Sequence, residues 1–231
     1  MYRPFKDFQV TERCVSVIGS GGKTTLLRYL AERLPGRVIL TTSTHIWPFP
    51  GIPLVDTAGN GVPGNRDHIL CQLRSALSSS RVVCLGIPEP SGKLADPSPV
   101  LPFETLLAEA EHVLIEADGS AGRPLKAHRP WEPVIPACSN QTICVVGASG
   151  IGQPISEACH CPEIFAALAD IPPDQSATEA HIADVLNQEN LADTYLVNQA
   201  DAISDPARAC LLCDLIRKDA FPCSLLSFLT P

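Results

Sequence analysis

An apolar run from Cys14 to Ile18 breaks into Gly19-Ser20-Gly21-Gly22-Lys23-Thr24-Thr25. It resumes as a pattern in which Leu26, Leu27, Leu30, Ala31 and Leu34 share one helical face. Strand, glycine-rich turn, Lys-Thr and helix, in that order, form the context of a phosphate-binding loop. The glycines let the backbone curl so that successive N–H groups converge on one anion, and the helix N-terminus adds its positive dipole end. In such a loop Lys23 reaches the terminal phosphates and the Thr24 hydroxyl takes Mg²⁺. Gly19, Ser20, Gly21, Gly22, Lys23, Thr24 and Thr25 are therefore the candidate nucleotide-binding residues. The spacing departs from G-x-x-x-x-G-K-[ST], because Val17 stands at the place of the first glycine. The tighter G-x-x-G-K-T-T is as close to the loop of ATP-dependent amide ligases as to that of GTPases.

This opening unit sets the expectation for the rest of the chain. Short apolar strand patterns at Val15–Ile18, Arg37–Thr41, Arg81–Ile87, His112–Ala117, Thr142–Gly147, Thr194–Asn198 and Cys223–Phe228 alternate with helical patterns. The helices read at Lys23–Leu34, Arg66–Ser78, Phe103–Ala110, Glu163–Ala169, Thr178–Gln188 and Pro206–Arg217. Continuous Val/Ile/Leu strands are those of a parallel sheet covered on both faces. The expected fold is α/β: a P-loop NTPase-like three-layer sandwich around a mostly parallel, doubly wound sheet. Prolines gather at Pro48–Pro63, Pro88–Pro102 and Pro124–Pro136, which reads them as loops. The stretch Gln153–Pro162 is a candidate break before a C-terminal lobe beginning at about 152. Because strand–helix alternation crosses it, a single nucleotide-binding domain over 1–231 is expected.

Composition narrows the partners. A net charge of −8, without a Lys/Arg cluster, argues against nucleic acid. No apolar run approaches the roughly 18–20 residues of a membrane span, and Met1–Asp7 lacks a signal-peptide core, so a cytoplasmic location is expected. The 10 cysteines then read as reduced thiols, many of them small core hydrophobes. Two clusters stand apart, Cys159-His160-Cys161 and Cys210-x-x-Cys213. Together they would supply soft ligands to a tetrahedral zinc site, although core packing also explains Cys210 and Cys213.

Three further motifs fall at strand ends, where an open parallel sheet places its ligand crevice. His112-Val-Leu-Ile-Glu116-Ala-Asp118-Gly-Ser ends an apolar strand in two carboxylates. Glu116 and Asp118 are the candidate metal residues beside Thr24, and with Lys23 the candidate catalytic set. Leu40-Thr41-Thr42-Ser43-Thr44-His45 brings a run of hydroxyls to the same edge, suited to orienting water, completing a metal shell or satisfying a turn. His45 itself reads more simply as a loop histidine. Tyr195-Leu-Val-Asn198-Gln199-Ala200-Asp201 resembles the N-K-x-D signature that reads guanine, with Asn198 and Asp201 as candidate base contacts. Gln199 replaces the lysine, and ordinary turn chemistry would also account for the stretch. Between these motifs, Glu116–Pro136 packs Arg123, Lys126, His128 and Arg129 among glycines and prolines. That composition suits an ordered loop carrying cations toward phosphates or an anionic partner, the reading the neighbouring acidic motif favours over a solvated Pro-rich connector.

Taken together, these motifs resemble the YqeC family, described as selenium-dependent hydroxylase accessory proteins. The resemblance rests on Gly21-Gly22-Lys23-Thr24-Thr25, Thr41-Thr42-Ser43-Thr44-His45, Glu116–Ser120 followed by Pro124–Ala127 and Glu132–Pro136, and Asn198–Asp201. It implies a nucleotide-binding protein that assists maturation of selenium-dependent molybdenum hydroxylases, with Mg²⁺ and ATP or GTP as ligands. Its partners would be a molybdenum hydroxylase or that enzyme's cofactor-maturation proteins. Cys161 stands where the family tends to carry Arg in a His-Arg-Pro-Glu-like run. Three activities remain open at this stage. The first is Mg²⁺-dependent NTP hydrolysis, the leading expectation; the second is ligase-like or phosphotransferase chemistry; the third is a nucleotide-gated binding module without turnover.

Overall fold

The computed structural model describes residues 4–58 and 66–228. Residues 1–3 of the N-terminal segment and residues 59–63 of the Pro48–Pro63 loop lie outside the described residues. The strands are β1 (Cys14–Gly19), β2 (Val38–Thr42), β3 (His45–Ile46), β4 (Leu54–Asp56), β5 (Val82–Pro88) and β6 (Leu94–Ala95), followed by β7 (His112–Glu116), β8 (Leu125–Lys126), β9 (Gln141–Gly147), β10 (Cys159–His160), β11 (Thr194–Asn198) and β12 (Asp219–Pro222). The helices are α1 (Lys23–Arg33), α2 (Arg66–Ser79), α3 (Phe103–Glu109), α4 (Ile155–Ala158), α5 (Pro162–Ala169), α6 (Glu179–Glu189) and α7 (Ala207–Leu215).

The central sheet runs β12-β11-β9-β1-β7-β2-β5, parallel throughout, with β4 parallel to β5. Among the described residues only the short β6 and β3 continue it antiparallel, and β8 pairs with β10 as a separate parallel ladder. Every residue of β1 and β2 is buried, as strands covered on both faces require. Side chains alternate between the faces. Val15 and Val17 pack with Leu26, Leu27 and Leu30 of α1, while Ile18 joins Phe165, Ile182 and Leu212 of α5, α6 and α7. Toward the β5 side, Ile39, Val83 and Ile115 meet Ile69 and Leu73 of α2 and Leu106 of α3. The result is the three-layer α/β sandwich around a mostly parallel sheet that the alternation of patterns predicts. Among the described residues no helix is long and apolar enough to cross a membrane.

One expected strand is displaced. The pattern at Cys223–Phe228 predicts the last strand, but β12 precedes it and Leu225–Phe228 is a 3-10 turn. Asp219 at the head of β12 hides the strand from an apolar count. The run after Pro222 is apolar for a different reason, since Cys223 and Leu225 close the α1 face of the core.

Register decides where the site forms. Val17 pairs with Glu116, Thr42 with Glu116, Gly19 with Val145 and Asn198 with Gly147. The carboxyl ends of β1, β2, β7, β9 and β11 therefore share one edge of the sheet, the edge at which such folds bind ligands.

Candidate functional site

The glycine-rich loop between β1 and α1 is built on backbone conformations that only glycine adopts freely. Gly21 and Gly22 have φ of +72° and +125°. A side chain on Gly22 would meet Asn198 Nδ2 at 2.6 Å, and one on Gly21 would strike the backbone of Gly147. Both neighbours come from adjacent strand ends, so sheet register and loop shape are mutually fitted. Asn198 fastens the arrangement: its Nδ2 donates to the Gly21 carbonyl at 2.7 Å, and its Oδ1 accepts the Leu225 N–H at 2.8 Å.

The loop divides into two halves. The N–H of Gly19 donates to Asp118 Oδ2 at 2.8 Å and that of Ser20 to the Val145 carbonyl at 2.7 Å, so these two amides are already committed. Gly21, Gly22, Lys23, Thr24 and Thr25 line a cleft of about 480 Å³ together with His45, Trp47, Lys93, Glu116, Ser120, Arg123 and Gln199. The first-turn N–H groups of α1 have no helical carbonyl to reach, and α1 has no side-chain N-cap. Those amides, the helix dipole, Lys23, Lys93 and Arg123 make a donor set suited to a multiply charged anion.

Glu116 and Asp118 both meet Lys23, but in unlike surroundings. Lys23 Nζ lies 3.2 Å from Asp118 Oδ1 and 3.8 Å from Glu116 Oε1, and donates to the Gly19 carbonyl at 2.7 Å. Glu116 accepts the Thr24 hydroxyl at 3.2 Å and lines the cleft. Burial, with Asp118 beside it, pushes its carboxyl up to about 7 against the pull of Lys23. Asp118 is 0% exposed. Its Oδ2 is 3.1 Å from Lys126 Nζ and 2.9 Å from His128 Nε2. Burial works to raise its pKa, but the His128 hydrogen bond and the Lys23 and Lys126 charges outweigh that and hold it at about 2.

This inner network extends further than sequence reasoning reached. His128 Nδ1 lies 2.9 Å from Glu189 at the end of α6, and the His128 N–H donates to the same carboxylate at 2.6 Å. Burial lowers the His128 pKa, yet the two flanking carboxylates reverse this and raise it. The composition of Glu116–Pro136 predicts an ordered loop carrying cations toward phosphates or an anionic partner. Lys126 and His128 instead turn inward to Asp118, because that buried carboxylate needs partners. Arg123 does line the cleft. Nothing in the sequence pairs His128 with Glu189, which lies 61 residues away.

The hydroxyl run is largely occupied in positioning. Thr42 Oγ1 donates to the Glu116 carbonyl at 2.8 Å and accepts the Thr44 N–H at 3.0 Å; Ser43 Oγ donates to the Val134 carbonyl at 2.5 Å. His45 is exposed and lies 3.2 Å from Glu89. At the other end, Asp201 is exposed within the 3-10 turn Ala200–Ala202, where its N–H donates to Ser224 Oγ at 3.1 Å. Gln199, not Asp201, reaches the cleft wall.

Of the two readings of the cysteine clusters, core packing rather than a shared four-ligand zinc site is what the described residues show. Cys159 packs in the core, and Cys213 is buried among leucines of α7. Among the described residues Cys210 and Cys213 belong to no grouping of three metal-ligating side chains.

Comparison with known proteins bears on the whole arrangement. The YqeC family, described as "YqeC protein", matches residues 15–163, the span that holds the glycine-rich loop, the Glu116–Asp118 strand end and the Lys126–His128 block. The chain belongs to the YqeC family. A curated relative, "Uncharacterized protein YqeC" of Escherichia coli (strain K12), is 35% identical over 167 residues, covering 69% of this chain and 62% of that protein. The chain thus spans less than two thirds of the relative's length. The family match stops short of Asn198 and Asp201.

Proposed function

We propose that this YqeC-family chain binds a Mg²⁺-nucleoside triphosphate at the Gly19–Thr25 loop and hydrolyses it. The hydrolysis would serve the maturation of selenium-dependent molybdenum hydroxylases, the context that the family resemblance implies. One observation carries the reading. Thr24 and Glu116 stand 3.2 Å apart at the mouth of a cleft that also holds Lys23 and the open amides of α1. Hydroxyl and carboxylate oxygens are the hard donors that Mg²⁺ takes. Burial and the neighbouring Asp118 raise the Glu116 pKa even with Lys23 beside it, so a further cation at this carboxylate would be favourable.

In this reading the Gly21–Thr25 amides and Lys23 bind and orient the phosphates, and Thr24 and Glu116 hold Mg²⁺. The ion, when bound, neutralises charge on the phosphate oxygens. Asp118 acts one step back: it holds Lys23 and the Gly19 amide so that loop and ammonium are set before the anion arrives. Asn198 does the same from the β11 side through Gly21.

A second reading, transfer of the phosphoryl group to an acceptor, is favoured by a neighbouring pocket of about 560 Å³ that shares His45, Lys93 and Gly119 with the cleft. Trp131, 71% exposed, stands on its wall. Calorimetric titration with MgATP and MgGTP tests binding, and phosphate release separates the readings. Release without any added acceptor supports hydrolysis, release only with an acceptor supports transfer, and binding without release supports a gated module. A folded chain that takes up neither nucleotide would remove the proposal altogether.

A further inference from the structure

Outside the nucleotide cleft, the residues Glu132, His160 and Cys161 come together. One ligand atom from each lies within 4.8 Å of the others. They arrive from separate anchored pieces. Glu132 closes a turn in which its N–H donates to the Arg129 carbonyl at 2.9 Å. His160 belongs to β10, paired in register with Lys126 of β8, and its carbonyl accepts the Ala127 N–H at 3.1 Å. Cys161 caps α5 in the left-handed region, φ +64°, and its carbonyl accepts the N–H groups of Ile164 and Phe165, both at 3.2 Å. Cys159, one residue from His160, faces the core instead.

Carboxylate, imidazole and thiol within one small volume is a mixed O/N/S donor set. Oxygen-seeking ions such as Mg²⁺ do not favour thiolate, whereas zinc-class divalent ions take all three donors. Around a tetrahedral ion with bonds of about 2.0–2.3 Å, donors sit roughly 3.3–3.8 Å apart. With every pair already within 4.8 Å, the three side chains need to close by at most about 1–1.5 Å. Glu132 Oε2 is a buried oxygen outside hydrogen-bond geometry, with Lys126 Nζ at 3.3 Å and Arg129 at 4.0 Å as its charge partners, so it is an anionic donor that a dication at the cluster would share.

We propose that Glu132, His160 and Cys161 form a zinc-class metal site, distinct from the Mg²⁺-nucleotide site. Three protein ligands leave a fourth position for water or another small donor. Zinc takes the thiol as thiolate with release of one proton, so a Glu⁻/Cys⁻ pair and a dication are together neutral. The positive groups facing the cluster are Lys126 and Arg129. Lys126 stays balanced by Asp118 at 3.1 Å. Arg129, 3.5 Å from His160 Nε2, is 40% exposed and has solvent to turn into.

The test uses the full chain without nucleotide. After exposure to zinc and removal of unbound metal, elemental analysis should find about one equivalent per chain. Cobalt(II) in its place should show a near-ultraviolet thiolate-to-metal charge-transfer band. Because loss of outer-sphere groups alone costs about 10–100-fold in affinity, H160A and C161A should weaken zinc by at least about 100-fold. C161S preserves side-chain size and guards against a folding defect: it should keep the wild-type circular dichroism and lose the charge-transfer band. The C210A/C213A double variant should bind as the wild type does. A wild-type chain that retains no zinc, a cobalt complex without the thiolate band, or a folded C161S with unchanged zinc affinity would each overturn the site.

Discussion

The Asp118 carboxylate accepts the backbone N–H of Gly19 at 2.8 Å, joining the end of β7 to the first residue of the glycine-rich loop. Strand-end acids in such folds suggest metal ligands, and the sequence offers Asp118 and Glu116 on equal terms. Their surroundings separate them. Asp118 is enclosed by Lys23, Lys126 and His128, while Glu116 faces Thr24 and the cleft.

Asp118→Asn is accordingly expected to act on stability as well as on function. Removing one partner of a buried charge network leaves the others uncompensated, which costs roughly 3 kcal/mol. Urea unfolding should show the loss in the absence of any nucleotide. An Asp118→Asn protein as stable as the wild type would mean that the carboxylate is not the loop's anchor.

Glu116→Gln should behave in the opposite sense. The Glu116 carboxyl is pushed up to about 7, above its ordinary value of 4.5. A group whose folded pKa is raised contributes stability that is fully present below the unfolded pKa and is lost as pH rises through the folded one. The wild type should therefore lose ground to Glu116→Gln between about pH 4.5 and 7, with a constant difference above that window. At pH 8 the variant should be at least as stable as the wild type yet show weakened Mg²⁺ dependence of nucleotide binding. Parallel urea curves at pH 5 and pH 8 check the first part, and magnesium titrations the second. A stability gap that does not change with pH would contradict a Glu116 carboxyl raised by burial.

Most of the fold was legible because parallel strands buried on both faces leave a nearly continuous apolar trace, as Cys14–Ile18, interrupted by Ser16, and Val113–Ile115 do. β12 was displaced because Asp219 opens it and the apolar residues that follow serve the α1 face. In the site, local spacing predicted the loop, and strand ends predicted which motifs share an edge. Direction was not legible. Lys126 and Arg123 are two positions on either side of Pro124–Leu125, yet one turns to Asp118 and the other to the cleft. The Glu189–His128 contact depends on where α6 ends in space, and no local pattern encodes that.

Lys23→Ala is expected to weaken Mg²⁺-nucleotide binding by about 1.5–3 kcal/mol or more, roughly tenfold to a hundredfold, the value of one hydrogen bond to a charged group. The fold should survive, since Asp118 keeps Lys126 and His128. Thr24→Ala should reduce affinity chiefly when magnesium is present. Calorimetry on variants with wild-type circular dichroism measures both. Undiminished affinity in folded Lys23→Ala would contradict nucleotide binding at this loop.

The remaining prediction concerns the base. Asn198 spends its side-chain amide on Gly21 and its carbonyl oxygen on Leu225, while Asp201 is exposed and away from the cleft wall. A site that reads a base through buried hydrogen bonds discriminates strongly, because the wrong base leaves polar groups unpaired. Here the residue at that wall is Gln199, which has no cationic stem to lie on a purine and whose Oε1 already accepts the Ser149 hydroxyl at 2.6 Å. ATP and GTP should therefore compete within about tenfold of each other, far from the 10⁴-fold or greater selectivity of roughly that order seen in hydrogen-bonding sites. Asn198→Ala should weaken both nucleotides together by loosening the Gly21 turn, and Asp201→Asn should leave their ratio unchanged. Competition binding with one labelled nucleotide measures all three. A strong guanine preference that Asp201→Asn abolishes would show that the Ala200–Ala202 turn closes onto the base when nucleotide is bound, and would restore Asp201 to the recognition site.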